Sequence, residues 1–363
     1  MQYGEARRRV IVVHDECGRA GGHEAVTLES MAARLALLVP ASARDDAYYV
    51  PARTLTREQA SRLGIASADD LFGGVVPHAF AATKMISHAL PGADSARPAG
   101  WADALGAALA GAVLPGFSAF APEDAMRGGL QLLEDGGVRL KVGDGIGGNG
   151  QAVVGDAAAL ADAIARIGTA TIEAAGVVLE RNLEREATLS IGEIRIGTLR
   201  AAYHGRQRRT LDHAGRTVYG GSDLVVRRGG LADLQEHVRD PDLRLAIRQA
   251  QAYDEAAHAA FPGMYASRRN YDVSQGFDAD GRRWSGVLEQ SWRIGGASPA
   301  EIAALEALLA DPRLEEVHAS AIEAYGPPGD LPPGAVLHFH GTDPAVGRLV
   351  KYAMVHPHGH PAQ

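Results

Sequence analysis

The segment 138–151 reads V-R-L-K-V-G-D-G-I-G-G-N-G-Q and joins one lysine, Lys141, to a dense run of glycines. A glycine has no Cβ, so its backbone N–H group can approach a ligand closely, and phosphate oxygens are the usual ligands of such a loop. The lysine precedes the glycines, which excludes the G-x-x-x-x-G-K-[ST] loop. Residues 151–154 read as a strand, which excludes the dinucleotide fingerprint. The pattern predicts two strands joined by a flap over a triphosphate, and the flap glycines are Gly143, Gly145, Gly147, Gly148 and Gly150.

The elements around this segment predict an α/β chain. A strand of buried type at 9–14 is followed by apolar residues at helical spacing at 24–38, which opens an α/β domain. Residues 81–88 also have a helical pattern. Further along the chain, strands at 270–275 and 284–292 predict a β-hairpin.

Length and composition limit the class of protein. The chain has 363 residues, of which 46% are hydrophobic, enough for two or three domains. A net charge of −8 with only short arginine runs argues against a nucleic-acid partner. The single cysteine, Cys17, excludes an internal disulfide and suggests a reducing compartment. No window reaches the ~18 apolar residues of a membrane span, so we expect a cytoplasmic protein with no membrane partner.

Four motifs in chain order resemble the ATP-grasp superfamily. L-P-G-F-S-A-F followed by P-E-D-A is similar to the start of the central subdomain, and V-R-L-K with its flap resembles the phosphate-covering strand and loop. V-V-L-E-R-N-L resembles the strand that holds adenine, and N-Y-D-V-S-Q with V-L-E-Q-S-W-R resembles the paired strands that carry magnesium carboxylates. Within the superfamily, Y-G-G-S-D-L and E-Q-S-W-R-I-G-G-A-S resemble an uncharacterised bacterial family classed as a domain of unknown function.

The resemblance implies an α/β (α+β) ATP-grasp fold, with an N-terminal Rossmann-like subdomain and two subdomains that clasp ATP. We expect an N-terminal α/β domain at 1–80 and a central ATP-grasp subdomain with the flap at 81–180. A C-terminal ATP-grasp subdomain with the metal carboxylates is expected at 181–325. A C-terminal strand segment and tail would follow at 326–363.

ATP with Mg2+ or Mn2+ is the implied cofactor pair. A triphosphate carries about four negative charges, so lysines are needed near its phosphates, and Lys84 and Lys141 are the expected cations. For Lys84, a solvated helix lysine is the alternative. The flap glycines Gly145, Gly147, Gly148 and Gly150 would cover the phosphates.

The adenosine half of ATP has its own implied residues. Glu180 ends the V-V-L strand, whose backbone groups can pair with the adenine edge, and Leu183 would cover the ring. Glu186 is implied for the ribose hydroxyls. Glu184 is an equally suitable occupant.

Asp272, Glu289 and Ser291 are the expected metal ligands. Magnesium prefers hard oxygen ligands, and the predicted hairpin can bring the two carboxylates to one face. The family usually has asparagine two residues after the glutamate, where this chain has Ser291. A serine hydroxyl can ligate magnesium, but the departure also allows a weakened metal site or a noncatalytic descendant.

Three arginines are the expected catalytic residues. Arg293 matches the family's arginine beyond the metal strand and would face the transferred phosphoryl group. Arg268 and Arg269 could steady an acyl phosphate, because a guanidinium group is suited to bidentate oxyanion binding. Surface salt bridges are the alternative role for this pair.

The expected function is an ATP-dependent carboxylate–amine, or carboxylate–nucleophile, ligase. Its substrate would be a small molecule or peptide with a carboxylate, activated as an acyl phosphate with release of ADP and phosphate. A small-molecule kinase and a noncatalytic nucleotide-binding regulatory protein are the alternatives, and a homodimer is a further open expectation.

Two polar groups have no assigned role. Asp15, His23 and Glu24 follow the first strand, where open α/β sheets place ligands, and helix capping is the competing interpretation. The segment 219–224, Y-G-G-S-D-L, is either a turn or part of a substrate site.

Overall fold

The computed structural model describes residues 8–15, 22–41, 47–145, 151–326 and 329–357. Its strands lie in four sheets, in the orders β1-β2, β12-β4-β3, β5-β8-β6-β7 and β14-β13-β9-β10-β11-β15-β17-β16. The strands are β1 (Arg9–Val13), β2 (Ala47–Pro51), β3 (Leu55–Thr56), β4 (Gly74–Val76), β5 (Gly116–Ala119), β6 (Val138–Val142), β7 (Gln151–Val154), β8 (Val177–Arg181), β9 (Glu184–Ile196), β10 (Leu199–Leu211), β11 (Thr217–Arg228), β12 (Tyr265–Ala266), β13 (Arg268–Phe277), β14 (Arg283–Ser291), β15 (Glu316–Tyr325), β16 (Val336–Asp343) and β17 (Gly347–His356).

Helices cover the sheets and carry the connections. The α-helices are α1 (His23–Leu38), α2 (Arg57–Leu63), α3 (Asp103–Leu109), α4 (Pro122–Leu133), α5 (Ala157–Ile167), α6 (Thr169–Ala175), α7 (Leu231–His237), α8 (Pro241–Ala260) and α9 (Ser298–Ala310). Two 3-10 turns, Ala79–Ala82 and Lys84–Ser87, precede α3.

The four-stranded sheet is antiparallel and has its own hydrophobic core with α4 and α5. Proline at the first position of α4 costs no hydrogen bond, because the first N–H groups of a helix have no partner within it. Asp156 caps α5 by accepting from the Ala159 N–H at 2.8 Å. A Cβ at Gly129 of α4 would lie 2.5 Å from Leu160 Cδ2, so glycine allows the two helices to approach closely.

The eight-stranded sheet is antiparallel throughout and buries both faces over much of its area. Successive side chains of a strand point to opposite faces. Tyr203 of β10 therefore packs into the core that includes α1 and α9, whereas Ala202 packs into the core that includes α8. The face of Tyr203 also carries Asn270 and Asp272, which line the cleft described below, whereas the opposite face packs against α8.

The sequence predicted the hairpins that matter for the site. Lys141 of β6 pairs with Gln151 of β7, which confirms the two strands on either side of the flap. β13 and β14 pair around the turn in which the Gly281 N–H donates to the Asp278 carbonyl at 3.0 Å, which confirms the second hairpin.

The predicted helix at 81–88 is wrong. The segment forms the turns Ala79–Ala82 and Lys84–Ser87, with Thr83 in extended backbone between them. The Thr83 carbonyl accepts from Gln290 Nε2 at 2.8 Å. A buried side chain of β14 thus binds a carbonyl of this segment at the position where the helix is interrupted.

The sheet also bears on the expected division of the chain. β15 pairs with β17, so one sheet continues across the expected boundary after residue 325. The described strands on the two sides of that boundary therefore belong to one sheet.

Candidate functional site

A cleft of about 1640 Å³ lies where the four-stranded sheet, the eight-stranded sheet and α1 meet. Lys141 and Glu180 line it from the first sheet, and Asp272 and Glu289 line it from the second. The volume exceeds the roughly 300–1,000 Å³ of a typical small-molecule pocket. It is large enough for a nucleotide and a second small molecule.

Lys141 and Glu180 form a buried ion pair on adjacent strands. Their side chains are only 6% and 2% exposed, and His88 Nε2 lies 3.6 Å from Glu180 Oε2. Burial raises the pKa of Glu180, but the charge of Lys141 and contact with His88 outweigh burial and lower this pKa to about 2. The carboxylate is therefore committed to Lys141, and the adenine role of the Glu180 backbone stays a prediction.

Lys84 reaches the same cleft from its 3-10 turn. Its Nζ lies 3.1 Å from Glu289 Oε2 and donates to the Gly145 carbonyl at 2.6 Å. The side chain is 7% exposed, so the alternative of a solvated helix lysine is wrong. Lys84 joins the root of the flap to a predicted metal carboxylate.

Asp272 of β13 lies directly opposite Glu289 of β14. Opposite residues of an antiparallel pair share a face, and both line the cleft, which confirms the predicted arrangement of the two carboxylates. Asn270 Nδ2 donates to Asp272 Oδ1 at 2.9 Å. Burial raises the pKa of Asp272, and the negative charge of Glu289 raises it further. This mutual repulsion is relieved by a cation between them.

Ser291 lies at the end of β14, and its side chain already has a partner. Arg268 Nη1 donates to Ser291 Oγ at 3.2 Å and to the Ser291 carbonyl at 3.0 Å. Arg268 also forms a buried ion pair with Glu301 of α9, with Nη2 2.7 Å from Oε1. Arg268 lines the cleft, but Glu301 and the end of β14 occupy its guanidinium group, and its catalytic role stays a prediction.

Arg269 points away from the cleft. Its guanidinium group forms ion pairs with Glu193 and with Asp254 of α8, the latter with Nη1 2.7 Å from Oδ2. Arg269 is not among the residues that line the cleft, so this placement does not support its predicted catalytic role. Arg268 and Arg269 are adjacent in a strand and cannot both face Asp272.

Arg293 follows β14 and lines the cleft. Its Nη1 donates to the Ile294 carbonyl at 2.8 Å, and among the described residues no carboxylate lies within ion-pair distance. Burial and the neighbouring charge of Arg268 lower the pKa of Arg293. A guanidinium group in this environment favours an anionic ligand, and its role at a phosphoryl group stays a prediction.

The structure distinguishes the two carboxylates proposed for ribose. Glu186 lines the cleft beside the buried Leu183, with Arg209 Nη2 3.5 Å and Arg139 Nη2 3.8 Å from Oε1. Glu184 is exposed and does not line the cleft. Glu186 is therefore the better placed of the two.

Part of the flap lies outside the described residues. The Gly143 N–H donates to the Gly176 carbonyl at 3.0 Å, and the Gly145 carbonyl accepts from Lys84. Three of the predicted flap glycines lie outside the described residues: Gly147, Gly148 and Gly150. The single cysteine, Cys17, also lies outside them.

The three polar residues that follow the first strand, Asp15, His23 and Glu24, also line the cleft. Asp15 pairs with Arg53, and the His23 N–H donates to Asp343 Oδ2 at 2.8 Å. Burial, helped by Lys351, lowers the pKa of His23. The capping interpretation fails for Asp15, His23 and Glu24, because Gly22 occupies the N-cap of α1 and the His23 N–H is bound by Asp343 instead.

The segment 219–224 contributes to both faces of β11. Tyr219 and Ser222 line the cleft, with their hydroxyl oxygens 2.8 Å apart. Asp223 pairs with Arg208 at 2.6 Å. The turn interpretation is wrong, because these residues lie within a strand.

Sequence reasoning missed the residues that hold the site together. Asn270 has the strand spacing of Asp272, so alternation along β13 could have placed it on the same face. His88, Gln290 and Glu301 are buried polar residues whose partners come from distant segments. No local pattern reveals such contacts.

The residues present fit a magnesium nucleotide. Among the described residues, no three or more His, Cys, Asp or Glu side chains form a metal-binding group. Mg2+ needs only one or two carboxylates, completed by neutral oxygens and water. Asp272 and Glu289 meet that need, and Lys84 and Lys141 meet the charge of the phosphates.

Within the described residues, no helix is long and apolar enough to cross a membrane.

The family model that matches this sequence is described as "Protein of unknown function (DUF3182)" and covers residues 11–353. A search of curated proteins finds no match.

Several solved structures align with this chain over most of its length. N5-carboxyaminoimidazole synthetase from Staphylococcus aureus aligns with a TM-score of 0.50 at 11% identity, over 98% of this chain and 96% of that chain. N5-carboxyaminoimidazole synthase from Aspergillus clavatus aligns at 0.48 and 14% identity, over 97% and 95%. Biotin carboxylase from Campylobacter jejuni aligns at 0.40 and 14% identity, over 70% and 61%. The chain has the mixed α/β ATP-grasp fold.

Proposed function

The chain belongs to the DUF3182 family, and from its cleft we propose that it is an ATP-dependent carboxylate–amine ligase. One observation carries the proposal: two buried lysines, Lys84 and Lys141, face two paired carboxylates, Asp272 and Glu289, in one large cleft. Cations for phosphate and oxygen ligands for a divalent metal are the two requirements of a bound triphosphate. The shared fold supports this class of reaction.

The nucleotide would lie between the two sheets. Lys141 and Lys84 would meet the phosphates, Leu183 would cover the adenine ring, and Glu186 would accept from the ribose hydroxyls. Asp272 and Glu289 would hold Mg2+ or Mn2+. A bound divalent ion supplies neutralisation of the charge that develops between the β and γ phosphates.

The proposed reaction has two steps. A carboxylate oxygen of the substrate forms a bond to the γ-phosphorus as the bond to the β-phosphate oxygen breaks, which gives an acyl phosphate and ADP. An amine then attacks the acyl carbon, phosphate leaves and the amine loses a proton, which gives an amide. Arg293 would hold the transferred phosphoryl group, because its guanidinium group can bind two oxygens at once.

Hydroxylamine trapping tests the proposal. Purified protein is incubated with Mg-ATP and a panel of carboxylates, with hydroxylamine in place of the amine, and ADP and hydroxamate are measured. The ligase gives both products with the right carboxylate, because hydroxylamine attacks an acyl phosphate but not an ordinary phosphate ester. A phosphorylated product that resists hydroxylamine supports the kinase instead. Tight ATP binding without ADP release across the panel supports the noncatalytic protein.

A further inference from the structure

The resemblance implies a third protein oxygen ligand on the metal face of the cleft, beside Asp272 and Glu289. The resemblance places an asparagine where this chain has Ser291, and Ser291 Oγ accepts a hydrogen bond from the Arg268 guanidinium group at 3.2 Å. An oxygen already bound to a cation is a poor ligand for a dication, because the two positive charges repel each other. If the metal site includes an amide ligand, a residue other than Ser291 has to supply it.

Asn270 lies directly opposite Ser291 in the β13–β14 pairing. It is 6% exposed, it lines the cleft, and its side-chain nitrogen donates to Asp272 Oδ1 at 2.9 Å. An amide side chain therefore stands on the metal face, one strand away from the position that the resemblance indicates.

The hydrogen bonds of Tyr203 show which way the amide can turn. The Tyr203 oxygen lies 2.6 Å from Glu301 Oε1 and 2.9 Å from Asn270 Oδ1, but a hydroxyl group has only one hydrogen. Glu301 is a carboxylate paired with Arg268, so it can only accept, and it takes that hydrogen. The Tyr203 oxygen is then free to accept from Asn270.

A half-turn of the Asn270 amide satisfies Tyr203. The rotation is a terminal sp³–sp² torsion with broad, roughly two-fold preferences, so both orientations are accessible. It places Nδ2 against the Tyr203 oxygen and Oδ1 against Asp272. Two acceptor oxygens that face each other repel, unless a cation lies between them.

We propose that Asn270 supplies its amide oxygen as the third protein ligand of the divalent cation, beside Asp272 and Glu289. The amide ligand would then come from β13, directly opposite the β14 position of Ser291 at which the resemblance implies an asparagine. The nitrogen faces Asp272 in the metal-free protein, and the oxygen faces it when the cation binds. This inference rests on the proposed nucleotide site.

Binding of Mn2+ to the protein–ADP complex tests the assignment without turnover. Free Mn2+ is measured by electron paramagnetic resonance for the parent, Asn270→Ser, Ser291→Asn, the double variant Asn270→Ser/Ser291→Asn, and Asn270→Asp. Asn270→Ser is expected to weaken Mn2+ binding at least about tenfold, the lower end of losses at metal sites. The double variant returns the amide to the opposite strand and is expected to recover most of that loss.

Asn270→Asp separates a ligand from a structural residue. A carboxylate presents an oxygen in either orientation but cannot donate to Tyr203 or Asp272, so Mn2+ binding stays at least as tight as in the parent while the metal-free protein melts at a lower temperature. Parental Mn2+ binding in Asn270→Ser overturns the assignment, as does a loss in Asn270→Asp equal to that in Asn270→Ser. Glu289→Gln is the control: if it also binds Mn2+ like the parent, the proposed metal site itself is wrong.

Discussion

At the scale of single residues, the Lys141–Glu180 pair decides how a test of the phosphate lysine must be designed. Lys141 lies at the root of the flap, and its ammonium group is buried against Glu180. Removal of one partner of a buried ion pair leaves an uncompensated charge. A substitution at Lys141 therefore changes folding as well as nucleotide binding, and the two effects have to be separated.

The first prediction uses a matched double variant. Lys141→Met is expected to lower the free energy of unfolding by about 3–5 kcal/mol, because Glu180 then stays buried without its lysine. Lys141→Met/Glu180→Gln should recover part of this stability. Neither variant should show the rise in melting temperature that Mg-ATP causes in the parent. A double variant that is still stabilised by Mg-ATP like the parent would remove Lys141 from the phosphate site.

The second prediction concerns pH. The folded protein lowers the pKa of Glu180 from the ordinary value of 4.5 to about 2. A lowered carboxylate pKa stabilises the fold above the unfolded value and loses this contribution as the pH falls toward the folded value. The stability advantage of the parent over Lys141→Met/Glu180→Gln should therefore shrink between pH 4.5 and pH 2. Denaturant unfolding at a series of pH values measures it, and an advantage that stays constant would contradict the lowered pKa.

Some site residues could be found from the sequence for a physical reason. Lys141 stands between an apolar strand and a glycine run, and Asp272 and Glu289 lie on two strands with a clear turn between them, so local pattern fixes their positions. The Arg268–Glu301 ion pair could not be found from the sequence, because Glu301 comes from a later helix. Contacts between distant segments depend on packing, which local sequence does not encode.

At the scale of elements, the alternation of β13 separates binding from structure. Asn270 and Asp272 point into the cleft, whereas Arg269 points to the face covered by α8, where it pairs with Asp254. Neighbouring arginines in sequence thus belong to different parts of the molecule.

The third prediction compares Arg269→Met with Arg293→Met. Arg269→Met should lower the melting temperature, since Glu193 and Asp254 lose a partly buried partner, but kcat per folded molecule should stay within about twofold of the parent. Arg293 has no ion pair among the described residues, so Arg293→Met should barely change stability and should lower kcat at least about tenfold, as expected when a contact to developing charge is lost. Melting curves and hydroxamate formation measure both. The reverse pattern would exchange the two assignments.

The turn that carries Lys84 is held by β14 and α8 together. Gln290 Nε2 donates to the Thr83 carbonyl, and Tyr253 of α8 donates to Gln290 Oε1 at 2.9 Å. Gln249 of α8 offers a close comparison, because its Nε2 donates to the Ser285 carbonyl of β14 at 2.8 Å. Both glutamines are buried, but only Gln290 contacts the Lys84 turn.

The fourth prediction uses this matched pair. Gln290→Met and Gln249→Met should each lower stability by about 1–3 kcal/mol, because each leaves buried polar groups unpaired. Only Gln290→Met should also weaken ADP binding, measured by titration calorimetry on folded protein, since only it releases the turn that carries Lys84. Equal affinities in the two variants would mean that Lys84 is positioned without Gln290.

At the scale of the whole molecule, the site belongs to no single sheet. The sequence predicted an ATP-grasp chain from the order of four motifs, and the ATP-grasp fold is confirmed. It did not predict that β15, β16 and β17 extend the sheet that carries Asp272, because strand order depends on pairing between distant segments. We propose that residues 184–356 form one unit, with the four-stranded sheet as the second unit across the cleft.

The fifth prediction follows from a nucleotide that contacts both units. A ligand that binds only the folded state stabilises it by about 2.7 kcal/mol at 100 times its Kd, so Mg-ATP at that concentration should raise the melting temperature of this 363-residue chain by roughly 3–4 °C. Hydrogen exchange should slow in β6 and β8 and also in β13 and β14, because the lysine and metal strands are then held by one ligand. Protection confined to one sheet would mean that the nucleotide does not bridge the cleft. Glu289→Gln should keep part of the protection at β6 and lose it at β13, since Lys141 still meets phosphate when the metal carboxylate is gone.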